Sequence, residues 1–157
     1  LVDFGLFEEY AYFTPGSSTL TFDVKGLKFG ILICYDIFFP ELTKSYALQG
    51  ADAAICISAS PSITRRFFEI EMKARAVENT IYFIYSNLIG FDSRMDFWGG
   101  GSVIDPKGNE IVKGPYFEEK ILTATLDPER IEEARRSRPT LRDTRRDILE
   151  GLLNSRK

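Results

Sequence analysis

No histidine occurs anywhere in the sequence, and its absence closes off a wide range of chemistry. Cys-His and Ser-His-Asp catalysis from within this chain is excluded, as are zinc sites of the usual His-containing kinds. Cysteine is nearly as scarce. The two present, Cys34 and Cys56, cannot form a four-thiolate metal site. Both sit in apolar runs of β type, so a disulfide-stapled scaffold is a poor fit and both thiols are expected to be free. A nucleophile here needs activation by a carboxylate, a lysine or a helix dipole, and no metal or organic cofactor is implied.

Positive charge is not in excess either. With 20 Lys and Arg against 23 Asp and Glu, and a pI near 5.1, the chain lacks the basic surplus of a nucleic-acid binder. No apolar run reaches the roughly 18–20 residues of a membrane span, and Leu1 does not open a charged-then-apolar leader. The expectation is a soluble, cytoplasmic protein with no nucleic-acid or membrane partner. What is present is apolar substance, 44% hydrophobic and 13% aromatic, enough for one core or part of a larger one.

The apolar pattern alternates between strand and helix periods. Leu20 to Ile33 reads as a hairpin about Lys25-Gly26 that feeds a buried strand. Pro40 suits the first turn of a helix that Gly50 ends. Ala53 to Ile57 is a strand, Ser58 to Thr64 a polar loop, Arg65 to Asn79 an amphipathic helix and Ile81 to Tyr85 a further strand. Ser102 to Ile104 and Glu110 to Val112 form a hairpin across the turn Asp105-Pro106-Lys107-Gly108. Lys120 to Leu126 is expected as one more strand, and Asp127-Pro128-Glu129 starts a helix by cap and proline. Strands alternating with helices predict an α/β layered sandwich.

Cys34 stands at the C-terminal end of the strongest strand, before a tight polar turn and a helix, where α/β folds place reactive groups. The segment Gly30-Ile-Leu-Ile-Cys34-Tyr-Asp-Ile-Phe-Phe-Pro-Glu41 resembles the nucleophile segment of the nitrilase, or carbon–nitrogen hydrolase, superfamily. Gly5 to Gly16 is similar to that family's segment carrying an auxiliary glutamate before a Phe-x-Pro-Gly turn. Arg75-Ala-Val-Glu-Asn79 leading to Asn87, and Gly100 to Gly108, resemble its later signatures.

The resemblance implies a four-layer α-β-β-α sandwich whose N-terminal half is absent, with residues 1–137 the C-terminal part of the hydrolase domain. Residues 138–157 correspond to an extension that packs across a two-fold dimer, its arginines and acids pairing at the interface. It implies a Glu-Lys-Cys site that cleaves a non-peptide C–N bond through a thioester, which needs no histidine. Cys34 matches the nucleophile, Glu9 the auxiliary carboxylate and the Tyr35 backbone N–H the oxyanion donor. Asp36 and Glu41 read as capping residues of the turn and the helix start.

Two departures carry information. The Lys-x-x-Leu pattern aligned on Leu1 to Glu9 places the family's lysine just upstream of Leu1, and its general-base glutamate belongs to the absent half. This chain alone is therefore expected to be inactive, its partners including a separate or missing N-terminal fragment. Phe38 stands where related amidases carry arginine, which points to a small-molecule substrate with a less polar acyl group. Cys-Tyr-Asp favours an amide over a nitrile. Ser60, within Ser58-Ala59-Ser60-Pro61, and the pair Phe97-Trp98 are candidates to line the pocket. An acyltransferase, a glutaminase feeding a synthetase, and a non-catalytic subunit of the same fold are the alternatives.

Overall fold

The computed structural model describes residues 9–92 and 94–154. Its centre is a six-stranded sheet in the order β1-β2-β3-β4-β7-β8, with β5 and β6 paired separately. The strands are β1 (Thr21–Val24), β2 (Leu27–Ile33), β3 (Ala53–Ser58), β4 (Tyr82–Asn87), β5 (Ile89–Asp92), β6 (Met95–Trp98), β7 (Ser102–Ile104) and β8 (Glu110–Lys113). The helices are α1 (Pro40–Leu48), α2 (Arg65–Asn79), α3 (Pro128–Ser137) and α4 (Arg146–Asn154). No helix among the described residues is long and apolar enough to cross a membrane.

Strands β2, β3 and β4 are parallel neighbours, so the crossovers through α1 and α2 lay both helices on one face. Leu32, Ala54, Cys56, Phe83 and Tyr85 point into that face and meet Tyr46, Ala47, Phe68, Met72 and Ala76 in one core cluster. Gly30 allows the close approach of α1: a Cβ there would stand 2.3 Å from Cγ of Tyr46, whose hydroxyl donates to the Ile31 carbonyl at 2.6 Å. Pro40 opens α1, and Gly50, at φ +86, stands just past its end, as the sequence predicts.

The opposite face is covered at one end only. Asp127 caps α3 by accepting from the Glu129 N–H at 2.9 Å, and α3 lays Ile131 near Phe29, Ala53 and Tyr82. Towards the C-terminal ends of the strands the same face lies open, with Ile31, Ile33 and Ile57 exposed.

Two elements differ from the sequence expectation. Lys120 to Leu126 joins no sheet, and Ile121 is exposed. A strand pattern becomes a strand only when it pairs with a partner ladder, and this segment pairs with none of the described strands. It stands off β4 and β7 instead, bounding a cavity of about 220 Å³ lined by Ile84, Ser86, Gly101, Gly114, Lys120 and Leu122. The β5–β6 hairpin has no counterpart in the sequence reading; Arg94, at φ 73, lies in its reversal.

Candidate active site around Cys34

β2 delivers Cys34 into a 3-10 turn, Cys34–Phe38, at its own C-terminal end. The residue has φ 47, the left-handed region that side chains other than glycine rarely adopt. Several bonds hold the chain in this shape. The Asp36 carboxylate accepts from the Ile33 N–H at 2.9 Å, and Phe39 N–H donates to the Asp36 carbonyl at 3.1 Å. Arg75, buried in α2, donates from Nε to the Ile37 carbonyl at 2.8 Å while its other nitrogens bind Glu71 and Glu78, each at 2.6 Å. A buried guanidinium is tolerated because both carboxylates and a carbonyl surround it. Arg75 thus ties α2 to the turn, a role that its position in an amphipathic pattern does not reveal.

The thiol of Cys34 is half-buried. Burial pushes it above its ordinary range, and the negative charge of Glu9 pushes the same way. The backbone N–H groups of Ala59 and Tyr35 and the hydroxyl of Ser58 oppose this by hydrogen bonding, without reversing it. None of these leading influences is a cation. Glu9, in the short 3-10 turn Glu9–Ala11, is thus brought into electrostatic reach of Cys34 across 25 residues of chain.

A raised thiol loses its proton at higher pH than a free cysteine, and only the thiolate is a nucleophile. Alkylation of Cys34 by iodoacetamide in this chain is therefore expected to be slow at pH 7 and to climb only above the free-cysteine range. A rate midpoint at or below that of free cysteine would contradict the balance described. Cys56 does not confuse the assay, being fully buried and pushed up to about 12.

Tyr35 and Phe38 share the turn with Cys34 and form an aromatic wall. Their ring centroids are 5.4 Å apart, Phe39 stands edge-on to Tyr35 at 5.3 Å, and Phe38 packs edge-on against Phe68 at 5.1 Å. Ser60 lies on the loop after β3, next to Ala59, and is fully buried. Its N–H donates to Asn87 Oδ1 at 2.7 Å, and Asn87 Nδ2 donates back to its carbonyl at 3.1 Å. Its hydroxyl pairs with Thr64 at 2.8 Å and accepts from Trp98 Nε1 at 3.3 Å. Ser60 therefore fixes the loop that presents the Ala59 N–H. Phe97 and Trp98, expected as pocket lining, are buried beneath this loop instead, because the β5–β6 hairpin folds them inward.

Among the described residues no group of three or more acidic or cysteine side chains could hold a metal ion. The carbon–nitrogen hydrolase family profile matches residues 4–136. The chain is 37% identical over 141 residues to a glutamine-dependent NAD(+) synthetase of Aquifex aeolicus, covering 88% of this chain and 24% of that protein. It is 36% identical over 144 residues to an omega-amidase of Saccharomyces cerevisiae, covering 90% and 49%. A carbon–nitrogen hydrolase structure from Helicobacter pylori superposes with a TM-score of 0.87 at 30% identity, covering 94% of this chain and 56% of that one. The chain spans about half the length of the amidase and of the hydrolase it matches.

Proposed function

The chain belongs to the carbon–nitrogen hydrolase family, and on that premise we propose that it is the nucleophile-bearing part of an amidase-like enzyme acting through Cys34. The thiolate attacks the carbonyl carbon of a primary amide, and the oxygen of the tetrahedral intermediate takes the Tyr35 N–H. A general base takes the thiol proton and passes it to the nitrogen, the C–N bond breaks, ammonia leaves and a thioester remains on Cys34. Water then adds to the thioester, a general base accepting its proton, and the acid is released with the thiol restored.

The observation that carries this reading is the charge balance at Cys34. A thiol pushed up by burial and by a neighbouring carboxylate needs a cation beside it to ionise readily, and no cation stands among its leading influences. A lysine supplied from outside this chain meets that need, with a second glutamate as the base. Glu9 then orients the lysine, and the lysine's charge offsets the penalty that Glu9 alone imposes on the thiolate. The bare apolar face bearing Ile31, Ile33 and Ile57 supports the same arrangement, since a second sheet laid there completes an α-β-β-α sandwich. Tyr35, Phe38 and Phe39 favour an apolar acyl group over a carboxylate-bearing one. The complete protein is read as a cytoplasmic homodimer or higher oligomer, with the Arg-rich tail at the interface.

Similarity to a glutamine-dependent synthetase over 88% of the chain favours one second reading, a glutaminase that hands its ammonia to another domain. Ammonia release by the complete protein, measured with butyramide, butyronitrile and glutamine, separates the two. The expected result is release from butyramide, with an acyl adduct on Cys34 in the intact mass. Glu9→Gln is expected to lower kcat about 100-fold with the fold intact. Turnover of glutamine alone replaces the first reading with the second, and ammonia release with an adduct on another residue removes Cys34 from the mechanism.

A further inference from the structure

Residues Lys120 to Leu126 keep a strand's alternation without a strand's pairing, and their contacts place them in a second layer. Leu122 is seated on Gly101 and Gly114: a Cβ on either glycine would stand 3.2 Å from its Cδ1. The two glycines are themselves joined, Gly114 N–H donating to the Gly101 carbonyl at 2.7 Å. Four residues on, Leu126 packs on the cluster of Phe29, Ala53 and Tyr82. Just beyond it the Tyr82 hydroxyl accepts from the Asp127 N–H at 3.0 Å and donates to the Asp127 carbonyl at 3.2 Å. Leu122 and Leu126 are half-buried against the sheet, whereas Ile121, Thr123 and Thr125 are exposed, Ile121 at 92%. That alternation is the period of a strand.

The segment also has a direction. Gly101 lies against the Tyr85 carbonyl in β4, and Tyr82 opens β4, so the segment runs over the sheet antiparallel to that strand. Leu122, Leu126 and the length of the Tyr82 side chain hold it one side-chain layer away. Sheets packed face to face keep such a separation, about 10 Å, with their strands roughly aligned. Its main chain is unpaired. Among the described residues no backbone hydrogen bond uses an N–H or carbonyl of residues 119–126. A row of free amides along an extended chain is a template for another strand.

We propose that Lys120 to Leu126 is a strand of the second sheet, and that it pairs with a strand from the N-terminal part of the complete protein. The proposal rests on the reading that a second sheet completes the sandwich. Two observations favour this occupant, an extended segment with apolar residues at alternate positions. The segment adjoins the open face bearing Ile31, Ile33 and Ile57, which the second sheet is read to cover. The matched amidase and hydrolase also carry about as much chain again outside the span they share with this one, enough for a sheet. The pairing has a consequence for the site. A slip of one residue turns every side chain of a strand to its other face, so a ladder here sets the register of the part that brings the lysine and the base to Cys34.

Successive residues of a strand offer their N–H and C=O groups to opposite edges, so residues 121, 123 and 125 serve one neighbour and 122, 124 and 126 the other. The test is residue-resolved amide hydrogen exchange by NMR in the complete protein, with hydroxyl-radical footprinting of Ile31, Ile33 and Ile57 in parallel. At least one of the two sets of amides is expected to exchange about 10³-fold or more slowly than in an unstructured peptide. Nuclear Overhauser contacts to the protected amides are expected from residues upstream of Leu1. Exchange of all six amides within about tenfold of the unstructured rate, with the three isoleucines shielded, overturns the proposal and leaves the sandwich reading standing. Fast amides with unshielded isoleucines remove both. Contacts from elsewhere in this chain, or protection that is lost on dilution to the monomer and so belongs to a second copy, overturn the named occupant. Loss of the nucleophile reading shows separately, as turnover that survives Cys34→Ala, and moves none of these measurements.

Discussion

Cys34→Ala in the complete protein lowers kcat for amide hydrolysis by about 10⁴-fold or more, while circular dichroism and thermal midpoint stay close to wild type. The size follows from the kind of catalysis proposed. With the sulfur gone no thioester forms, and the Tyr35 N–H, the Ala59 N–H and Glu9 are left surrounding an empty position. The unchanged fold follows from the local structure. Alanine keeps the Cβ that the left-handed backbone already accommodates, and Asp36 and Arg75 hold the turn through the Ile33 N–H and the Ile37 carbonyl, neither of which uses the thiol. Cys34→Ser is expected to be nearly as inactive, because a hydroxyl at this position is far harder to ionise than a thiol. Full turnover in Cys34→Ala would end the assignment of Cys34 as nucleophile.

Trp98→Ala destabilises the complete protein by about 3–5 kcal/mol, measured by urea denaturation, with a fall in thermal midpoint of roughly 10 °C. Trp98 is fully buried, lies stacked against Tyr85 and meets Tyr116 at 6.0 Å, so truncation leaves a ring-sized void in the principal core. It also removes the donor to Ser60. The activity cost is expected to exceed the unfolded fraction, because the loosened loop carries the Ala59 N–H that faces Cys34. Trp98→Phe retains most of the packing and is expected to recover more than half of the lost stability without restoring the Ser60 bond. A loss below about 1 kcal/mol in Trp98→Ala would mean that the hairpin does not anchor this part of the core.

Much of this arrangement is legible in the sequence, and the boundary between what is and what is not has a physical basis. Local signals hold where one residue decides the outcome: Pro40 and Gly50 bound α1, Asp127-Pro128 starts α3, and the Asp105–Gly108 turn forms with Asp105 accepting from the Lys107 and Asn109 N–H groups. They fail where the outcome depends on a neighbour. Lys120 to Leu126 has a strand's composition and no ladder, while the β5–β6 reversal contains a residue, Arg94, with no turn signature. The same division runs through the site. Cys34, Tyr35 and Phe38 are adjacent in sequence and can be read together from the strand end and the family resemblance. Glu9 rests on that resemblance. Ser58 and Arg75 come into play only through strand register and helix packing, which a linear pattern does not contain.

The left-handed backbone at Cys34 also bears on how this chain withstands mutation over time. A residue with a Cβ at φ 47 gives up about 1 kcal/mol relative to a conformation it prefers, and glycine would recover most of that. Relief of backbone strain alone therefore runs towards glycine at this position, opposed by the packing of the Cys34 side chain on the core and by any requirement for the sulfur. A lineage that kept the fold as a scaffold and abandoned its chemistry would be free of the requirement for the sulfur, leaving strain against packing to decide the residue. With Cys34 as the proposed nucleophile, position 34 is a place where relief of backbone strain and the need for the sulfur pull in opposite directions.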